Sequence, residues 1–253
     1  MNRRTVGRQP KYQRIAADLK AAIAAGTYTP GQRIPGENDL MATYEVARMT
    51  ARQALATLRS EGLIEARKGA GIFVRQYEVV IRRRGVQRLS LNLWAQGKSV
   101  WSADIDDRSL EVDSVSVMEE PAPKGVAATL DTPAEAPVCV RRRRFLLDGR
   151  PVLFATSYLD AELVAGTAIT QPDTGPGGIY ARLDEIGHKP VHFREEIRSR
   201  MPNAEETAGL GLTPGTPVTL ICRTAFAEDG RAVEVNDMVL DSSAYVLEYE
   251  FDA

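Results

Sequence analysis

The sequence predicts a protein in two parts: a helix-turn-helix with a β-hairpin wing, then an α+β domain built on a mainly antiparallel sheet. Three observations carry that expectation. Residues 35–74 hold two short helical patterns that meet at a tight turn, with a Gly-rich basic hairpin directly behind them. Residues 1–76 carry 13 Lys/Arg against 6 Asp/Glu, whereas residues 77–253 carry 19 against 28. From Trp101 onward, β-rich runs alternate with turn dipeptides and only one or two helical patterns interrupt them.

Composition bounds the rest. At 253 residues and 43% hydrophobic content, the chain can build one large or two modest cores. No run of about 18 apolar residues indicates a membrane span. The basic start M-N-R-R-T-V-G-R-Q-P lacks the apolar stretch of a signal peptide. Cys139 and Cys222 are the only cysteines, expected as free thiols of a cytoplasmic protein. The formal net charge of −2 hides a basic front on an acidic body, so only the front is expected to meet a polyanion.

In the front part, Tyr12, Ile15, Ala16, Leu19, Ala22 and Ile23 share one helical face, Gly26 ends that helix, and Thr29-Pro30-Gly31 makes a turn. Ile34 enters the core. Pro35-Gly36 then opens a short helix over 37–44, with Gly36 a weaker N-cap than Ser. The third helix is expected over 48–60, with Ala51, Ala54, Leu55 and Leu58 as its buried stripe. Arg48, Met49, Arg52 and Gln53 lie on the opposite side near its N-terminus. That end of such a helix meets base edges, and its N–H groups favour phosphate. Arg can fork to guanine, and Thr50 is placed for a phosphate or a thymine methyl. Residues 63–67 and 72–74 read as strands around Lys68-Gly69-Ala70-Gly71, whose glycines let backbone approach a sugar-phosphate surface.

Residues 12–74 resemble the winged helix-turn-helix domain of the GntR family of bacterial transcription regulators. The residues that carry the likeness include Pro30-Gly31, Ile34-Pro35-Gly36-Glu37, Leu40, Tyr44, Arg48, Thr50, Arg52, Glu61-Gly62-Leu63-Ile64 and Gly69-Ala70-Gly71-Ile72-Phe73-Val74. The resemblance implies base contacts from Arg48 and Arg52, a phosphate contact from Thr50, and a minor-groove contact from the Lys68-Gly69 tip. Departures are Ala47 where Ser or Thr usually caps the recognition helix, Gly36 for the usual Ser, and Asn38 for a frequent Arg.

The expected organisation is a DNA-binding domain over 8–76, a linker over 77–87 containing Arg82-Arg83-Arg84, and a second domain over 88–253. A short helix is expected around Leu89, Leu93 and Trp94, ended by Gly97. Strands are expected over 112–118, 138–147, 152–159, 191–199, 218–227 and 232–240, with hairpins at Asp148-Gly149 and Asp229-Gly230. Helices are expected over 178–186 and 203–210, and a last strand over 245–251. This half resembles the UTRA effector-binding domain of the HutC-type branch of the GntR family, through its Arg-rich strand, Asp148-Gly149-Arg150-Pro151, Ile179-Tyr180 with Leu183, and Leu210 to Pro217. The resemblance implies a chorismate-lyase-like fold.

Arginines alternate along Val140-Arg141-Arg142-Arg143-Arg144-Phe145, so either Arg142 and Arg144 or Arg141 and Arg143 face the interior. Two inward guanidinium groups need an anionic partner: internal carboxylates such as Glu195, Glu196 or Glu234, or a ligand. The resemblance implies Arg142 and Arg144 as the anion-binding pair, with Glu234 and Tyr245 in the same pocket. Gly178, after the Gly-rich Asp173 to Gly177, and Tyr180 complete the expected effector site, since such a helix entry can hold an anion. Gly177-Gly178 and Ala155 stand where sugar-phosphate-binding relatives carry Ser and Glu, which argues against transferring that ligand.

His188 and His192 straddle Pro190 and lack metal-ligand spacing, and no nucleophile motif occurs, so neither metal nor cofactor is expected. The resulting expectation is a homodimeric regulator, of the repressor kind, on an inverted-repeat duplex operator and tuned by a small anionic effector. A chorismate-lyase-like enzyme and an effector-independent DNA-binding protein are the alternatives.

Overall fold

The computed structural model describes residues 9–76, 81–84 and 110–250. The chain divides into two units, Met1–Tyr77 with Thr213–Thr216 and Glu78–Leu212 with Pro217–Ala253. In the first, α1 (Lys11–Ala24), α2 (Glu37–Tyr44) and α3 (Arg48–Ser60) pack around Ile15, Leu19, Leu40, Ala54, Leu55 and Leu58. These are the apolar positions three and four apart, which share a helical face. Ala51 and Ala54 are fully buried, and their small side chains leave room for α1 to lie against α3. Truncating a buried leucine such as Leu58 in a core of this kind costs about 2–5 kcal/mol.

Three short strands complete this unit in the order β1 (Arg33–Ile34), β3 (Gly71–Val74), β2 (Ile64–Arg67). The wing is the β2–β3 hairpin, with Arg67 opposite Gly71. The strand at Arg33–Ile34 was not anticipated. Ile34 enters the core as expected, and it does so by pairing with Ile72.

The second unit is a six-stranded antiparallel sheet in the order β5-β6-β7-β10-β9-β8. Its strands are β5 (Leu110–Pro121), β6 (Pro137–Leu147), β7 (Arg150–Asp160), β8 (Pro190–Arg200), β9 (Val218–Ala227) and β10 (Ala232–Asp241). The Asp148-Gly149 hairpin turns with both residues at positive φ (49° and 77°), the two-residue geometry that Asp-Gly favours.

Helices lie beside the sheet: α4 (Lys124–Leu130), α5 (Ala161–Val164), α6 (Gly178–Glu185) and α7 (Ala204–Gly209). Of these, α4 and α5 were not expected from the sequence. A second, parallel pair joins β4 (Ile81–Arg84) to β11 (Tyr245–Glu248). Residues 82–84, expected as a charged junction, thus have strand backbone, and the final strand is shorter than 245–251. The helix expected near Leu89 to Gly97 lies outside the described residues.

Candidate functional site

Two surfaces concentrate the candidate residues, one in each unit. In the first, α2 ends on Glu45 in left-handed geometry (φ 49°), which turns the chain into α3 within three residues. Ala47 caps α3 in extended conformation without any side-chain hydrogen bond, as its identity requires. The N-terminal turn of α3 therefore has N–H groups that no side chain at the cap can satisfy. Arg48, Met49, Arg52 and Gln53 are exposed there, Met49 at 70%, and Thr50 is half-buried. Lys68 and Gly69 are exposed at the wing tip. Arg67 stacks over the Phe73 ring at 4.5 Å and pairs with Glu65 at 2.8 Å, so it stays with the hairpin rather than its tip.

Asn38 and Glu37, on the first turn of α2, flank Arg48. The Asn38 Oδ1 accepts from Arg48 Nη2 at 3.2 Å, and Glu37 Oε2 lies 3.9 Å from Arg48 Nε.

In the second unit one cross-strand row of the sheet is polar on every strand but β5. The register aligns Val117, Arg141, Ser157, Asn236, Arg223 and Glu195 as successive cross-strand partners. Side chains of such partners emerge on one face. Arg143 lies two residues along on that same face, and Glu234 two residues before Asn236. Above them sits a cavity of about 500 Å³, walled by Val112, Val115 and Phe145 and closed by residues 172–178 with Ile179 and Tyr180.

Its electrostatics are uneven. Arg141, Arg143 and Arg223 line the cavity with Glu234 as the carboxylate of the sheet floor and Asp173 on the loop. Arg141 is buried and donates to the carbonyls of Ile169, Gln171 and Pro172, so it fastens the covering loop. Arg143 donates to Ser157 Oγ at 2.5 Å. Burial, with Arg141 and Arg223 nearby, pushes Arg143 down to about 10 despite Glu234. It remains cationic at neutral pH. For Arg223 burial alone would lower the pKa, yet Tyr180, Glu234 and Glu195 hold it above the usual guanidinium value. Tyr180 donates its hydroxyl to Glu234 Oε2 at 2.8 Å, which ties the covering helix to the sheet floor. Asn236 Oδ1 is buried and has no hydrogen-bond partner among the described residues.

Gly178, Tyr180 and Glu234 all line this cavity. Arg142 and Arg144 do not join them. Val138 and Val140 pack beneath α4, and the alternation carries Arg142 and Arg144 onto that side, away from the cavity. There Arg142 forks onto Glu120 at 2.7 and 2.8 Å, and Arg144 Nε bonds Asp113 at 2.9 Å. These arginines hold both carboxyls below the usual carboxylate range. The other pair, Arg141 and Arg143, is the inward one. Tyr245 is also displaced from the expected pocket, because β11 pairs with β4 instead of entering the large sheet; its ring packs with the cluster that holds Ile81 and Leu153. Arg223 and Asn236 were missed. Asn236 was accessible to reasoning, since it follows Glu234 by two residues on a strand.

Among the described residues no group of three or more His, Cys, Asp or Glu is arranged to hold a metal ion, and no helix is long and apolar enough to cross a membrane. Burial and Asp237 push the Cys222 thiol up to about 12, and burial also raises Cys139, so neither is poised as a nucleophile.

Comparison with known proteins gives the same two parts. A model of the UTRA domain matches residues 107–246, and a model of the bacterial regulatory proteins of the gntR family matches residues 11–74. An uncharacterized HTH-type transcriptional regulator of Streptomyces coelicolor is 32% identical over 252 residues, covering 96% of this chain and 93% of that one. The chain belongs to the GntR family. This GntR regulator is also 25% identical to the HTH-type transcriptional repressor NagR of Bacillus subtilis, over 96% of this chain and 95% of the relative. A crystal structure of a GntR-family regulator superposes with a TM-score of 0.68 at 28% identity, covering 97% and 98% of the two chains. PhnF from Mycobacterium smegmatis superposes at 0.53 with 25% identity, covering 94% and 99%. The protein is a DNA-binding transcriptional regulator with an effector-binding domain.

Proposed function

We propose that this GntR regulator is a cytoplasmic homodimeric repressor whose grip on an inverted-repeat operator is tuned by a small anion held over the sheet of its second domain. The proposed division is a DNA-binding domain to residue 76 and an effector domain that already includes β4, so the linker is shorter than the expected 77–87. The observation that carries the reading is the gathering of Arg141, Arg143 and Arg223 on one wall of a single cavity. Clustered buried guanidinium groups disfavour one another, and an anion in their midst relieves that cost. Glu234 and Asn236 Oδ1 add acceptors beside them, so the effector carries a hydroxyl or amine next to its anionic group. NagR of Bacillus subtilis is named a repressor, which supports repression as the role of this chain.

On the DNA side, Arg48 and Arg52 read bases in the major groove, Met49, Thr50 and Gln53 contact adjacent bases or backbone, and Lys68 with Gly69 meets the minor groove. The test starts by selecting an operator from random duplexes with the full chain. Release is then measured with inorganic phosphate, an organic phosphate ester and a hydroxycarboxylate. One of the two organic anions is expected to change operator affinity. Arg143→Ala with Arg223→Met should remove that response and spare DNA binding, whereas Arg142→Ala with Arg144→Ala should keep it. A response lost only in the second double variant would move the site to the other face of the sheet. An affinity that no small anion alters would favour an effector-independent DNA-binding protein.

A further inference from the structure

Asn38 occupies the first turn of α2, where an Asn side chain commonly bonds its own helix backbone. Here that work is done by a neighbour: Asp39 Oδ2 accepts from the Gly36 N–H at 2.9 Å. Asn38 is left to reach across the tight turn, where its Oδ1 accepts from Arg48 Nη2 at 3.2 Å. Glu37 Oε2 stands 3.9 Å from the Nε of the same guanidinium. Arg48 is otherwise exposed, its side chain 65% accessible. A long side chain in that setting samples many rotamers, and holding it on two sides removes much of that freedom before DNA arrives.

The geometry of the fork agrees. Asn38 takes one proton of Nη2. With Glu37 on the Nε side, donors remain on both Nη1 and Nη2, the two atoms a bidentate bond to guanine O6 and N7 uses. We infer that Asn38 is a positioning residue for base reading, orienting Arg48 so that one base pair of each half-site is selected. The inference rests on the reading that Arg48 contacts a base. A residue of this kind acts on specificity at one position. A phosphate contact would instead act on all sequences alike and on the salt dependence.

Selection from randomised duplexes with the full-length protein, followed by competition binding at several salt concentrations, tests this. Arg48→Ala should flatten the preference at one position per half-site by roughly 5- to 150-fold. Asn38→Ala should weaken the preference at that same position, leave the salt slope unchanged, and add nothing when combined with Arg48→Ala. Asn38→Asp keeps the acceptor while adding a negative charge, so it should keep the preference and weaken binding to every sequence. If Asn38→Ala flattens a different position, adds to Arg48→Ala, or lowers the salt slope, Asn38 contacts DNA in its own right and the inference is wrong. Preserved selectivity in Asn38→Ala alone would also overturn it. Preserved selectivity in Arg48→Ala as well would show that the base-reading assignment had failed first.

Discussion

Glu206 illustrates how one side chain can serve a cap and an ion pair together. It accepts from the Asn203 N–H at 2.9 Å while Asn203 Oδ1 accepts from the Glu206 N–H at 2.8 Å, the reciprocal box that opens α7. Both its oxygens also take Arg200 protons at 2.6 Å. Arg200 lowers the carboxyl pKa more than burial raises it, with the Asn203 N–H adding to the lowering. A carboxyl depressed in the folded state stabilises above its unfolded pKa, and that contribution is lost as pH falls through and below the ordinary glutamate range. Glu206→Gln should therefore cost about 1–2 kcal/mol at neutral pH and much less in acid. Urea denaturation of both proteins at neutral and at acid pH measures the gap; an equal gap at both would mean that charge pairing contributes nothing. At the same scale, the Arg142–Glu120 and Arg144–Asp113 pairs are partly exposed and screened by solvent; the first contributes about 1 kcal/mol at most, and the second is weakened in the same way.

Helices with one buried face were legible because their period is printed in the sequence. Residues 48–60 show it most plainly, with four buried positions three and four apart and a basic opposite face. The uncapped start of that helix was equally plain. Ala47 adopts φ −68° and ψ 151°, a conformation that Ser or Thr accepts without strain. Ala47→Ser is accordingly expected to raise stability by about 0.5–1 kcal/mol and to leave base preference untouched, as read by denaturant unfolding and operator competition. A loss of stability would mean that the Ala47 side chain packs against something a hydroxyl cannot replace.

The second unit was less legible for a physical reason. Val138, Cys139 and Val140 are all buried, because α4 covers one face of β6 and the loop and helix over the cavity cover the other. A strand covered on both faces shows no alternation, so nothing in Val140 to Phe145 says which arginines point inward. The α5 helix spans four residues and α4 seven, too short for a periodic signal. The parallel pairing of β4 with β11 joins segments more than 160 residues apart, which no local pattern encodes.

For the whole molecule, charge and function divide along the chain. The basic first 76 residues suit a polyanion, and the acidic remainder suits a domain that admits anions only where arginines are gathered. A sensor of this kind works only if its ligand binds two states of the protein with different affinity. The two binding events must then be linked reciprocally: if the effector weakens operator affinity by some factor, operator must weaken effector affinity by that same factor. Couplings of this kind are commonly about 5- to 150-fold. Calorimetric titration of the full chain with the active anion, alone and then saturated with its selected operator duplex, measures one side; operator binding with and without the anion measures the other. Arg143→Ala with Arg223→Met should abolish both shifts together. Unequal factors would show that the anion acts on the DNA or through a second site, and equal factors that survive the double variant would place the sensing site outside the arginine-lined cavity.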